Sequence, residues 1–125
     1  MNEYKLYRIL KNIVPDLERS TGKYCGYDCY SKKHKAIIEL KCRPIHYDNL
    51  IMEKHKYDKL IVHKDKAKIY YINQTPQGIY SFNINNLKPK WVKGKYKKTT
   101  EFKDNRKVEK IVTLLNINEA KIIKS

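Results

Sequence analysis

The stretch Tyr24-Cys25-Gly26-Tyr27-Asp28-Cys29-Tyr30, followed by Lys35-Ala36-Ile37-Ile38-Glu39-Leu40-Lys41-Cys42, decides how this chain is read. Both segments are apolar and rich in β-branched or aromatic residues. The basic loop Ser31-Lys32-Lys33-His34 between them makes an antiparallel pair of strands. Side chains alternate along a strand, so Glu39 and Lys41 share a face, roughly 6–7 Å apart, while Ile38, Leu40 and Cys42 take the other. Asp28 stands eleven residues before Glu39, on the neighbouring strand. Two carboxylates brought to one spot repel unless a cation lies between them, and an amine beside them can orient water or stabilise an oxyanion. That trio suits metal-dependent phosphodiester chemistry. Its plain alternative is a surface ion-pair cluster, which is common and only weakly stabilising.

Outward from this pair the pattern stays mixed. Leu6, Ile9, Leu10, Ile13 and Leu17 recur at helical spacing, which predicts an opening amphipathic helix that Pro15 either kinks or ends near Ile13. Residues 48–60 read as a second helix with Asp48 as its cap and Leu50, Ile51, Tyr57 and Leu60 inside. Lys68–Asn73 and Ile79–Ile84 form a hairpin across Gln74-Thr75-Pro76-Gln77-Gly78. Val108, Ile111, Val112 and Leu115 predict a late helix, and Asn118–Lys124 a short tail helix. The expected class is therefore mixed α/β (α+β), a central mixed β-sheet flanked by helices. It is read as one domain over 1–125, with its core at about 4–85 and a basic extension with a helix over 86–125.

At 125 residues the chain carries 28 Lys+Arg against 13 Asp+Glu, a net charge of +15. The 24 lysines to four arginines, with frequent Asn, Ile and Tyr, suggest an AT-rich genome, and codon bias explains that choice without explaining the shortage of acids. A polyanionic partner does, and nucleic acid fits better than a membrane, since no basic amphipathic helix stands alone. No apolar run approaches a membrane span, and residues 1–5 lack the apolar core of a signal peptide, so a cytoplasmic location is expected. Candidate phosphate contacts are Lys32, Lys33 and Lys35 in the first loop and Lys54, Lys56 and Lys59 in the second helix. Lys93, Lys95, Lys97 and Lys98 follow in the basic 88–110 stretch, where Trp91 and Tyr96 are candidates for base stacking.

Cys25-x3-Cys29-x12-Cys42-x3-His46 looks superficially like a zinc site. Cys25 and Cys29 on one strand would lie roughly 13 Å apart, however, too far for one ion. The cysteines read instead as small buried hydrophobes, and the four histidines show no mutual metal spacing.

On Asp28, Glu39-Leu40-Lys41, the helix preceding them and the helix following, the chain resembles the PD-(D/E)XK nuclease superfamily. The small phage and archaeal Holliday junction resolvase-like endonucleases are nearest in size. The proline that names the motif is replaced by Tyr27. The resemblance implies a restriction-endonuclease-like core, Mg²⁺ (with Mn²⁺ as a substitute) and hydrolysis of DNA. It also implies Asp28, Glu39 and the Leu40 carbonyl as metal ligands, Lys41 as the residue that positions water or stabilises phosphate charge, and a homodimer. A further acid on the first helix is expected, for which Glu18 is the candidate and Asp16 the reserve. No Gly-x4-Gly-Lys-Ser/Thr loop occurs, and no separate target-recognition segment is evident, so recognition of DNA shape is expected over sequence-specific restriction. The size and codon character fit a phage-encoded protein working in a host cytoplasm. Two other readings stay open: a non-catalytic nucleic-acid-binding protein with the same fold, serving packaging or anti-defence, and an RNA-directed member.

Overall fold

The first helix, α1 (Glu3–Ile13), is capped by Asn2, whose side chain accepts the Lys5 N–H, and it ends where Pro15 removes the next donor. The structure, a computed structural model, describes residues 1–21, 26–97 and 106–124. After α1 come β1 (Glu18–Arg19), β2 (Cys29–Ser31), β3 (Ala36–Cys42), β4 (Asn49–Glu53) and α2 (Lys54–Ile61). They are followed by β5 (Lys68–Thr75), β6 (Gly78–Asn83), β7 (Val92–Lys97), β8 (Lys107–Asn116) and β9 (Lys121–Lys124).

Six strands form one sheet in the order β1-β2-β3-β5-β6-β9. Within it β3 and β5 run parallel and the other neighbours antiparallel, so the sheet is mixed. The parallel step needs a crossover, and β4 with α2 provides it. A second, antiparallel sheet has the order β4-β8-β7. The expected class, mixed α/β around a mixed central sheet with flanking helices, is the one adopted.

Alternation sorts the core into two clusters on opposite faces of the large sheet. Leu6 and Leu10 of α1, with Leu17, pack on Cys29, Ile38, Leu40, Ile72 and Ile79. On the other face, Ile37, Ile69, Tyr71, Tyr80 and Phe82 meet Leu60 of α2 together with Leu50, Met52 and Leu115 of the small sheet. Residues beyond 86 therefore contribute to the core.

Four element assignments change. Among the described residues of the strand expected over Tyr24–Tyr30, only Cys29 and Tyr30 belong to β2, and Asp28 lies in the bend that leads into it. Residues 48–60 are not one helix: Leu50 and Met52 enter the core at a period of two, and the helix begins only at Lys54. The late helix is a strand. Val108, Ile111, Val112 and Leu115 happen to fit a helical stripe, but this β-branched run forms β8, the middle strand of the small sheet. The tail helix is a 3₁₀ turn, Ile117–Glu119, followed by β9.

Candidate active site

The site opens where β2 runs out. β2 pairs with β3 only through Cys29↔Ile38, Tyr30↔Ile37 and Ser31↔Ala36, so the Glu39–Cys42 half of β3 has no full partner strand on that side. Asp28 takes over there: its N–H donates to the Ile38 carbonyl (3.0 Å) and its Oδ2 accepts the Leu40 N–H (2.7 Å). Continuing the register by one residue sets Asp28 opposite Glu39, on the same face. The N–H and C=O of a strand residue point to one side, so the Leu40 carbonyl faces this open edge as well.

A cavity of about 60 Å³ results, lined by Glu3, Asp28, Glu39, Leu40, Lys41, Glu53, Lys56 and Tyr71. It is on the scale of an ion with a few waters, not of a nucleotide. Glu39 is buried (5 % exposed). Burial, then hydrogen bonding to and repulsion by Asp28, push its carboxyl up to about 8. Lys56 of α2 partly offsets this, with Nζ 3.5 Å from Glu39 Oε2. For Lys56 itself burial works downward, but the charges of Glu39 and Asp28 outweigh it and raise its pKa. Burial, and next the charge of Arg43, hold the Lys41 ammonium below the usual lysine range.

The walls are braced. Arg43 donates from Nε to Asn73 Oδ1 (2.6 Å) and from Nη2 to the Ile51 carbonyl (2.6 Å) and the Tyr71 hydroxyl (3.0 Å). Tyr71 Oη in turn donates to the same Ile51 carbonyl (3.1 Å). Across the cavity, Lys110 of β8 pairs with Glu53 at 3.0 Å. Burial acts upward on Glu53, yet the Lys110 hydrogen bond and charge leave its carboxyl below the ordinary range.

Asp28, Glu39, Leu40 and Lys41 are thus brought together. Glu18 is not: it lies exposed on β1 rather than on a helix, and accepts the Tyr30 hydroxyl (2.7 Å). Asp16 is also elsewhere, accepting from Ser31 Oγ (2.8 Å) and the Lys33 N–H (3.0 Å) and so bracing the first hairpin loop. The acid that α1 does supply is Glu3, at the cavity mouth, its carboxyl raised by burial and then by Asp28. Its signal was in the spacing, since Glu3 heads the Leu6 and Leu10 stripe at i, i+3 and i+7 and so faces the sheet. Glu53 and Lys110 were missed as well, and Lys56, expected only as a phosphate contact, lines the cavity. They come from elements whose nature or boundaries differ from expectation.

Among the expected phosphate contacts, Lys32, Lys33 and Lys35 sit exposed in the β2–β3 turn, with Lys35 at φ 49°. Lys54 pairs with Asp58 (2.8 Å) and lies over the Trp91 ring (5.7 Å), which meets Tyr57 edge-on. Lys93 approaches Glu109 at 3.9 Å, and Lys95 is exposed on β7. Lys97 is on β7 and Lys98 falls outside the described residues, as does Cys25. Cys29 packs in the α1-side core, its thiol pushed up to about 12 by burial.

Among the described residues, no three His, Cys, Asp or Glu side chains are grouped to hold an ion by themselves. The donor set here is two carboxylates and one main-chain oxygen, all hard oxygens, with space for water. That fits Mg²⁺, which keeps several waters and takes one or two carboxylates. The raised Glu39 carboxyl is an electrostatic cost that a bound cation would relieve.

No family model matches the chain, and no curated protein does. Among solved structures it is similar to Hjc, a Holliday junction resolvase from the archaeal hyperthermophile Archaeoglobus fulgidus. The TM-score is 0.60 at 14% identity, over 96% of this chain and 90% of that one. At that identity the likeness is one of fold. No helix among the described residues is long and apolar enough to cross a membrane.

Proposed function

We propose that this chain is a metal-dependent endodeoxyribonuclease of the PD-(D/E)XK kind, acting on branched DNA. The observation that carries the reading is the meeting of Asp28 and Glu39 at the open edge of β3, with Lys41 two residues on along the same face. Asp28, Glu39 and the Leu40 carbonyl would hold Mg²⁺, or Mn²⁺ in its place. When bound, the ion polarises the phosphate and acidifies a coordinated water.

The chain's own groups do the rest. The Leu40 N–H fixes Asp28 Oδ2, which leaves the other carboxylate oxygen for the site. Lys41, half-buried beside Glu39, orients the attacking water or meets charge developing on the phosphate. Arg43 and Tyr71 hold the floor against movement through their shared Ile51 carbonyl. The exposed Lys32, Lys33 and Lys35 turn, at the start of β3, adds positive charge for the DNA backbone. Symmetric cutting of a four-way junction requires two such sites, so the active form is a homodimer.

Supercoiled plasmid and a four-way junction incubated with Mg²⁺, Mn²⁺ or EDTA provide the test. Wild type cuts with either metal and not with EDTA. Glu39→Ala and Lys41→Ala each lose about 10²-fold or more in rate, as expected for groups acting on transition-state charge. Wild type that binds DNA in a salt-sensitive way but cuts neither substrate would establish the non-catalytic reading instead. Preference for RNA in a competition assay would redirect the substrate.

A further inference from the structure

The second lysine of the cavity comes from α2, and its placement is built in. Gly26, at φ 77°, lets the loop that leads into Asp28 lie against α2. A Cβ at Gly26 would meet Lys59 Cβ at 3.3 Å and the Lys59 carbonyl oxygen at 3.5 Å. Leu60 anchors the same helix in the core with no exposed surface. Lys56 is thereby held over the site, its side chain 42 % exposed and its Nζ 3.5 Å from Glu39 Oε2. A long, partly solvated lysine stem can swing away at little cost, whereas Glu39 on the central sheet cannot follow.

We infer that Lys56 is the resident cation of the site: it occupies Glu39 Oε2 while no divalent ion is bound, and yields that oxygen when one arrives. This role rests on the nuclease reading and goes beyond it. A buried carboxyl group beside another acid needs a polar partner. Lys56 is placed to be that partner through an oxygen that a metal would also use. A monovalent and a divalent cation on one carboxylate repel each other, so they compete. The displaced ammonium then faces the open side of the cavity, where a DNA phosphate would lie. By linkage, metal strengthens DNA binding and DNA strengthens metal binding through this one side chain.

Full-length wild type, Lys56→Met and Lys56→Arg are compared by calorimetric titration with Mg²⁺ in the absence of DNA, with Glu39→Gln as the metal-site control. Lys56→Met keeps the stem and removes the charge. It binds Mg²⁺ about threefold or more tightly than wild type, the scale of losing one partly exposed ionic competitor, and Lys56→Arg stays near wild type. In a Lys41→Ala background that blocks cutting, Mg²⁺ raises affinity for a four-way junction more when Lys56 is present than when it is Met. Unchanged or weaker Mg²⁺ binding by Lys56→Met, with its EDTA melting temperature no lower than wild type, overturns the inference alone. No Mg²⁺ binding by wild type overturns both the inference and the nuclease reading beneath it.

Discussion

Glu39 is the residue on which site and stability pull in opposite directions. Its carboxyl stands at about 8 in the folded chain against 4.5 for an ordinary glutamate. Between those values the folded state holds a proton that the unfolded state releases. The stability linked to this group is therefore fully present below the ordinary value and lost as pH rises through the folded one. In EDTA, Glu39→Gln accordingly melts several degrees above wild type near the upper end of this window, and the two converge near the lower end. Mg²⁺ narrows the gap by stabilising wild type alone. Scanning calorimetry across the window checks this; a wild type that gains stability with rising pH there would contradict it. Strand alternation alone made Glu39 and Lys41 legible as a pair, and the spacing to a neighbouring strand added Asp28. Glu3 had a signal in its spacing, but an acid in the first turn of a helix already has a sufficient explanation in the helix dipole.

At the scale of elements, the β2–β3 turn is a basic hook with a rigid base. Asp16 receives Ser31 Oγ and the Lys33 N–H, and the Lys68 N–H donates to the Lys35 carbonyl (2.8 Å). The turn therefore presents its lysines in a fixed arrangement. Replacing Lys32, Lys33 and Lys35 together by Gln lowers the slope of log affinity against log salt by about 1–3, roughly 0.9 for each phosphate contact removed. Fluorescence anisotropy on a junction at several salt concentrations measures it, and a slope equal to wild type would remove the turn from the DNA interface. The elements that sequence reading misplaced share a cause. β4 is short and joins α2 without a break, so Leu50 and Ile51 were absorbed into a helical pattern that left out Met52, the second inward residue. In β8 both Val112 and Leu115 are buried although they lie on opposite faces, and α2 packs against this strand as well. Burial on both faces erases the period of two, and only the β-branched composition remained to signal a strand.

For the whole molecule, the small sheet is a second wall on the same core. Leu115 is 1 % exposed and belongs to the cluster with Leu50, Met52 and Tyr71, so Leu115→Ala costs about 2–5 kcal/mol. Urea denaturation measures this; a loss under about 1 kcal/mol would mean that the small sheet is peripheral to stability. Lys110, which pairs with Glu53 of β4, lies on the same strand as Leu115, so the wall of the candidate site depends on this packing as well. The register of the small sheet has a consequence in time. β4 pairs with β8 from Asn49↔Asn116 to Glu53↔Val112, so a strand made before α2 waits for one made near the far end of the sequence. Such long-range pairing is slow and comes late. On a ribosome, the chain through β6 would already carry Asp28, Glu39 and Lys41, but with one edge of the crossover strand bare and Glu53 still lacking its lysine. Under the proposed nuclease function, the carboxylates would therefore be in place before the wall that braces them, which is complete only once β8 has been made.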